Sequence, residues 1–146
     1  KLRPFYRSEA PPQSPVDEDG VTVLVGSTFE RHALDPGKDV FVEFYAPWCS
    51  HCKELAPEWA KLAQKVETSG WAGRGVVIAK MNGADNDCEE EVDGFPKMVL
   101  YPAVKAGKKF RQRLVYGGAR EFSQLRDFLL ENARRLEGVE DLSEDG

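Results

Sequence analysis

No apolar run in this chain approaches the roughly 20 residues that a bilayer-crossing helix needs, so a helical membrane span is excluded. Positive charge is not in excess either, since 20 Lys and Arg stand against 25 Asp and Glu for a formal net charge of -5. Neutralising phosphates takes a basic surface, which argues against nucleic acid as a partner. Cysteine is scarce: three residues are too few for a multi-disulfide scaffold and leave one over if two act together. The first residues lack a secretory signal and the last lack a recognised retention tail, so the sequence reads as a piece of a longer chain.

What is present suits one domain. With 146 residues, 41% hydrophobic and 31% charged, the chain can build a single hydrophobic core but no second domain of useful size. Pro4, Pro11, Pro12 and Pro15 among polar residues mark 1–19 as an interdomain linker. Residues 20–137 read as the folded domain and 138–146 as an acidic C-terminal extension. Acidic clusters at 17–19, 85–93 and 140–145 read as solvated faces.

The pattern of apolar residues predicts an alternation of strands and helices. Residues 21–25 form a strand, and Ser27 with Glu30 makes a capping box that opens a short helix ended by Asp35-Pro36-Gly37. Residues 40–45 are apolar on both faces except at Glu43, as in a central strand covered on both sides, so Glu43 is expected to be buried. Leu55, Trp59, Leu62 and Val66 have helical spacing after Cys49, with Pro57 kinking the helix and Ser69-Gly70 ending it. Residues 75–81 form a second buried strand with Lys80 near its carboxyl end, where open α/β sheets place their sites. A short helix capped by Asp85, with Cys88 and Val92 on one face, is expected next, then a break at Gly94-Phe95-Pro96. Residues 98–101 and 110–116 make a hairpin, and a final helix carries Phe122, Leu125, Leu129 and Leu136, with Arg134 and Arg135 near its end. The order β-α-β-α-β-α-β-β-α predicts an α/β fold with a mixed central sheet flanked by helices on both faces.

One stretch carries chemistry. Cys49-Ser50-His51-Cys52 follows the central strand at a helix start, where two cysteines can close a disulfide within one turn and the helix N-terminus favours a thiolate. The alternative use of such a pair is structural zinc, which wants four ligands. Only Cys88 and His32 remain for that purpose, without a second paired motif, so the pair is read as redox-active with no metal or cofactor.

With Trp48-Cys-Ser-His-Cys52-Lys53, Glu43, Lys80, Phe95-Pro96 and Tyr116-Gly-Gly-Ala-Arg120 all in place, residues 21–136 resemble a catalytic thioredoxin-fold domain of the protein disulfide isomerase family. The likeness is greatest to the C-terminal catalytic (a′) domain. It implies a thiol-disulfide oxidoreductase and isomerase of the endoplasmic reticulum lumen. Its clients would be unfolded or misfolded polypeptides, its redox partner glutathione or a sulfhydryl oxidase, and its setting a longer chain with neighbouring domains. Two positions depart from the family's usual residues. Ser50 replaces Gly, which would alter hydrogen bonding to the Cys49 sulfur, and Lys97 replaces the Thr after the cis-proline, which would add charge beside the client groove.

Within that resemblance Cys49 is the nucleophile, and His51 favours its thiolate over the disulfide. Cys52 is the resolving thiol, and Glu43 is its base, since burial raises a carboxyl pKa toward neutrality; Lys80 moderates the cost of burying it. The resemblance implies a cis bond before Pro96, with Phe95 opposite Cys49 and, together with Trp48, forming an apolar client contact. It also implies that Arg120 can swing toward the buried thiol. For Trp48 ordinary packing, and for Arg120 an exposed helix-start position, are the alternatives. A thioredoxin-like reductant and a non-catalytic client-binding chaperone module are the competing functions.

Overall fold

Strand β2 (Asp39–Tyr45) lies in the middle of a five-stranded sheet, as its two-sided apolar pattern requires. The computed structural model describes residues 6–141, so Pro4 and most of the acidic end lie outside the described residues. Around β2 the chain adds β1 (Thr22–Leu24), α1 (Gly26–Ala33), α2 (Ser50–Thr68), α3 (Trp71–Arg74) and β3 (Val76–Asn82). It continues with β4 (Lys97–Tyr101), β5 (Leu114–Tyr116) and α4 (Phe122–Asn132). The sheet order is β1-β3-β2-β4-β5; β3 runs parallel to β1 and β2, and β4 is antiparallel to β2 and β5.

Alternation along β2 sorts its side chains between two cores. Phe41 packs with Leu55, Trp59 and Leu62 of α2 and Leu125 and Leu129 of α4. Val40, Val42 and Phe44 face the other way, toward Phe29 and Ala33 of α1. Helices therefore cover both faces, as expected. Each such buried side chain contributes roughly 1.5–3 kcal/mol, and the one polar atom of Trp59 is satisfied by its Nε1–H donating to the Ala79 carbonyl at 2.9 Å. By the same alternation Glu43 shares Phe41's face and lies under α2.

Four local expectations are corrected. First, α1 opens without the Ser27–Glu30 box. Thr28 Oγ1 takes the Val25 N–H at 3.1 Å, and the free amides of Gly26 and Ser27 donate to Asn86 Oδ1 and Ser8 Oγ, each at 2.9 Å. Second, no helix follows β3. Asn82 turns the chain by accepting from the Ala84 N–H and donating to the Asp85 carboxylate, which leaves Asp85 no role as a cap. Cys88 and Val92 instead pack from this loop against the α1-side core.

Third, α4 stops at Asn132 because buried Asp39 draws the amides of Arg134 and Arg135 to its carboxylate at 3.0 and 2.7 Å. Leu136 still reaches the core, from a 3-10 turn. Fourth, β4 and β5 pair as expected, but 110–112 is a 3-10 turn and the strand is only Leu114–Tyr116. Pro57 lies inside α2 without ending it, and the short α3 after it was not anticipated.

The acidic clusters are also more than solvated faces. Asp17 pairs with Lys80 at 3.0 Å, Asp87 with Arg7 at 3.0 Å and Asp141 with Lys65 at 3.1 Å. Glu90, 5% exposed, receives Lys97 Nζ at 2.9 Å and the Tyr101 hydroxyl at 2.7 Å.

Residues 6–19, read as a linker, lie along the domain. Arg7 donates to Asp87 and to the Ala84 carbonyl, and the Glu9 amide donates to Asn86 Oδ1 at 2.8 Å. This lay-down needs a glycine at 26, because a Cβ there would stand 2.5 Å from the Arg7 carbonyl oxygen and 2.9 Å from that of Asp87. Gly26→Ala is expected to lower the unfolding free energy by about 1–3 kcal/mol, the usual range for overpacking. A denaturant midpoint equal to that of the unaltered chain would show that residue 7 does not lie there.

Candidate active site

The first turn of α2 rises from the end of β2, and Cys49 is its N-cap, with extended backbone (φ -84, ψ 116). Its Sγ accepts the Cys52 amide N–H at 3.2 Å, so the thiol takes the place of the hydroxyl or carboxylate that usually satisfies a helix's first amides. Both cysteines are free thiols. Both are also buried, Cys49 to 8% exposure and Cys52 to 5%, among Ala46, Tyr45, Ala84 and Phe95. In this dithiol form Cys49, the expected attacking thiol, is largely covered.

The wall opposite comes from the loop before β4. The Phe95-Pro96 bond is cis, and Phe95 packs against the thiol cluster. Its ring meets Trp48 edge-to-face at 5.7 Å, and Trp48 is 71% exposed, which removes ordinary packing as its role. Gly83 makes room for this wall, since a Cβ there would stand 2.9 Å from the Phe95 ring.

Beside Cys52 is a cavity of about 200 Å³ lined by Glu43, Tyr45, Ala46, Cys52, Lys53 and Lys80, among others. Glu43 is 4% exposed, and burial raises its pKa to about 7, against a smaller opposing effect of Lys80. Burial is also the main cause that holds the Cys52 thiol well above its ordinary range, with the Cys49 hydrogen bond and the Glu43 charge adding to it. A buried acid and a buried thiol therefore share one small space, each poorly able to carry charge alone.

Lys80 stands opposite Glu43 in the β2–β3 register. Its ammonium, however, pairs with Asp17 Oδ2 at 3.0 Å and lies 5.9 Å from the Tyr45 ring centre. In the sequence Asp17 belongs to an acidic run, and no local signal links it to Lys80.

The remaining residues sit farther out. His51 Nδ1 is 3.5 Å from Glu54 Oε1, both side chains exposed. Arg120 is exposed in the loop before α4 and does not line the cavity. Ser50 is exposed on the first turn, and the hydrogen bond that reaches Cys49 Sγ is the Cys52 amide's. Lys97 does not place a free charge beside the groove, because its ammonium is held by Glu90 and the Glu91 carbonyl. Cys88 is half-buried, its thiol pushed up to about 12 by burial. Among the described residues no three His, Cys, Asp or Glu side chains gather to hold a metal.

The family model described as Thioredoxin matches residues 20–131, and the chain belongs to the thioredoxin family. Among named relatives it is 39% identical over 145 residues to protein disulfide-isomerase of Humicola insolens, covering 99% of this chain and 27% of that one. It is 39% identical over 139 residues to human protein disulfide-isomerase A4, covering 93% and 20%. The chain thus spans about a quarter of the length of these relatives. In structure it is similar to the first thioredoxin domain of mouse protein disulfide-isomerase A4, with TM-score 0.61, 25% identity and coverage of 89% and 85%.

The raised Glu43 pKa has a consequence for stability. A carboxyl that titrates near 4.5 when unfolded and about 7 when folded binds its proton more tightly in the folded state. Its stabilising effect is complete below pH 4.5 and is lost as the pH rises through 7. Glu43→Gln should therefore match the unaltered chain near pH 4 and exceed it at pH 8, by a ceiling of about 3 kcal/mol. Urea unfolding at the two pH values reads this, and a gap that does not grow with pH would contradict it.

Proposed function

We propose that this domain is a thiol-disulfide oxidoreductase and isomerase that forms, reduces and rearranges disulfides in folding polypeptides. The observation that carries the reading is the Cys49-Cys52 thiol pair packed against Phe95, with Cys52 and Glu43 lining one cavity. Relatives named protein disulfide-isomerase support it.

In the reducing direction the Cys49 thiolate attacks one sulfur of a client disulfide. The client S–S bond breaks, its other sulfur leaves as a thiolate, and Cys49 is joined to the client. Cys52 gives its proton to the Glu43 carboxylate and attacks the Cys49 sulfur. The Cys49–client bond breaks, the second client sulfur leaves as a thiolate, and Glu43 returns the proton. The client has gained two electrons and Cys49-Cys52 is a disulfide; the reverse sequence oxidises a client dithiol. A base titrating near neutrality suits this proton transfer best, which is the role read for Glu43.

Trp48 and Phe95 would offer apolar contact to an extended client segment. His51 would favour the Cys49 thiolate, Lys80 would moderate the burial of Glu43, and Arg120 would approach Cys52 late in the cycle. In this reading 20–137 is the catalytic domain, 1–19 the linker and 138–146 an acidic extension. The proposed clients are unfolded or misfolded polypeptides. The proposed redox partner is glutathione or a sulfhydryl oxidase, and the compartment the endoplasmic reticulum lumen, where disulfides persist.

Reduction of insulin and reactivation of scrambled ribonuclease are expected from the unaltered chain and not from Cys49→Ser, while Cys52→Ser accumulates a mixed disulfide with the client. Activity retained by Cys49→Ser would refute the assignment. Equilibration with glutathione is expected to give a potential of about -180 mV; one of about -270 mV would make the domain a thioredoxin-like reductant.

A further inference from the structure

The acid that holds Lys80 lies outside every expectation for the site. Asp17 sits in the turn before β1, where its Oδ1 accepts the amides of Asp19 at 2.9 Å and Val21 at 3.0 Å. Its own amide donates to the Val21 carbonyl at 2.9 Å, and Val16 bridges to Thr22. One carboxylate oxygen is thus fixed by backbone, and the other, Oδ2, faces Lys80 Nζ at 3.0 Å. The pair is largely shielded, with Lys80 33% and Asp17 23% exposed.

Lys80 has two acids within its reach. Its backbone lies between Val23 of β1 and Glu43 of β2 in the sheet register. Glu43 is the closer in register, yet the ion pair is made with Asp17. The other titratable groups that face or sense Glu43 are Tyr45 of its own strand and Cys52 and Lys53 of α2, with the free thiol of Cys49 hydrogen-bonded to the Cys52 amide. Tyr45 in turn senses Glu9 and Asp17. Across β4 the residue opposite Glu43 is Met98, which adds no charge.

We propose that Asp17 is a positioning residue of the thiol site: it holds the Lys80 ammonium off the Glu43 carboxylate, so that Glu43 remains free to take and return the Cys52 proton. An ammonium closed onto Glu43 would keep that carboxylate ionised and unable to hold the proton that Cys52 must give up. Asp17 keeps Lys80 near enough to offset part of the burial of Glu43 and too far to capture it. The inference rests on the oxidoreductase reading for the role of the proton, but the Asp17–Lys80–Glu43 geometry stands without it.

Asp17→Asn is a clean test, because an asparagine oxygen can still accept the Asp19 and Val21 amides while the charge that holds Lys80 is gone. Two measurements are made on the dithiol form of the chain. The Glu43 carboxyl is titrated by carbon NMR, and client release from a Cys49 mixed disulfide is followed against pH. In Asp17→Asn the Glu43 midpoint is expected to fall by about one unit or more, and release at pH 7 to slow several-fold. Asp17→Glu should restore both in part. In a Lys80→Met background Asp17→Asn should move the Glu43 midpoint much less. An unchanged midpoint in Asp17→Asn, or an equal shift with and without the lysine, would overturn the proposal. If the unaltered chain forms no mixed disulfide, the oxidoreductase reading fails, while the NMR comparison still decides whether Asp17 acts through Lys80.

Discussion

A carboxyl group placed inside an apolar sheet is the constraint on which this site depends. Stripping hydration from a carboxylate costs several kcal/mol unless a partner replaces it. Glu43 is buried at the centre of the sheet, between β3 and β4 and under α2. That position follows from its odd-numbered place in a strand whose neighbours are apolar on both faces. Neutrality over part of the pH range and the nearby Lys80 together make the burial tolerable. The same desolvation makes Cys52 reluctant to ionise, so the two groups are matched in that neither carries charge easily.

The rest of the fold is tied by buried polar groups that find partners far along the chain. Asp39 gathers amides from Ala103, Arg134 and Arg135, joining the start of β2 to the chain's C-terminal turn. Asn86 accepts from Glu9 and Gly26 and donates to Glu9 and the Asn82 carbonyl. Glu90 collects Lys97 and Tyr101, anchoring the residue that directly follows the cis-proline. A buried polar atom without a partner costs about 1–3 kcal/mol, so these junctions hold the loops that they join.

These junctions also explain what could be read in advance. Strand β2, helix α2 and the burial of Glu43 were legible because apolar periodicity is written locally, within the span of the element itself. The paired thiols were legible from their own spacing at a helix start, and the Phe95-Pro96 step as a resemblance. The helix expected after β3 does not form, because Asn86 within that segment bonds to Glu9, 77 residues away. The early end of α4 has the same origin, since Asp39 lies 95 residues before Arg134. Asp17 was invisible for a related reason: an acid in an acidic run looks solvated until the fold places a lysine against it.

The order of attachments along the N-terminal segment has a mechanical side. Arg7 and Glu9 grip the loop after β3 before the chain reaches Asp17 and the first strand. Tension drawn through residue 6 would therefore meet a multi-bonded guanidinium–carboxylate clasp before it reached the turn at Asp17. The turn that steadies Lys80 sits behind that clasp, as a joint sits behind a strain relief.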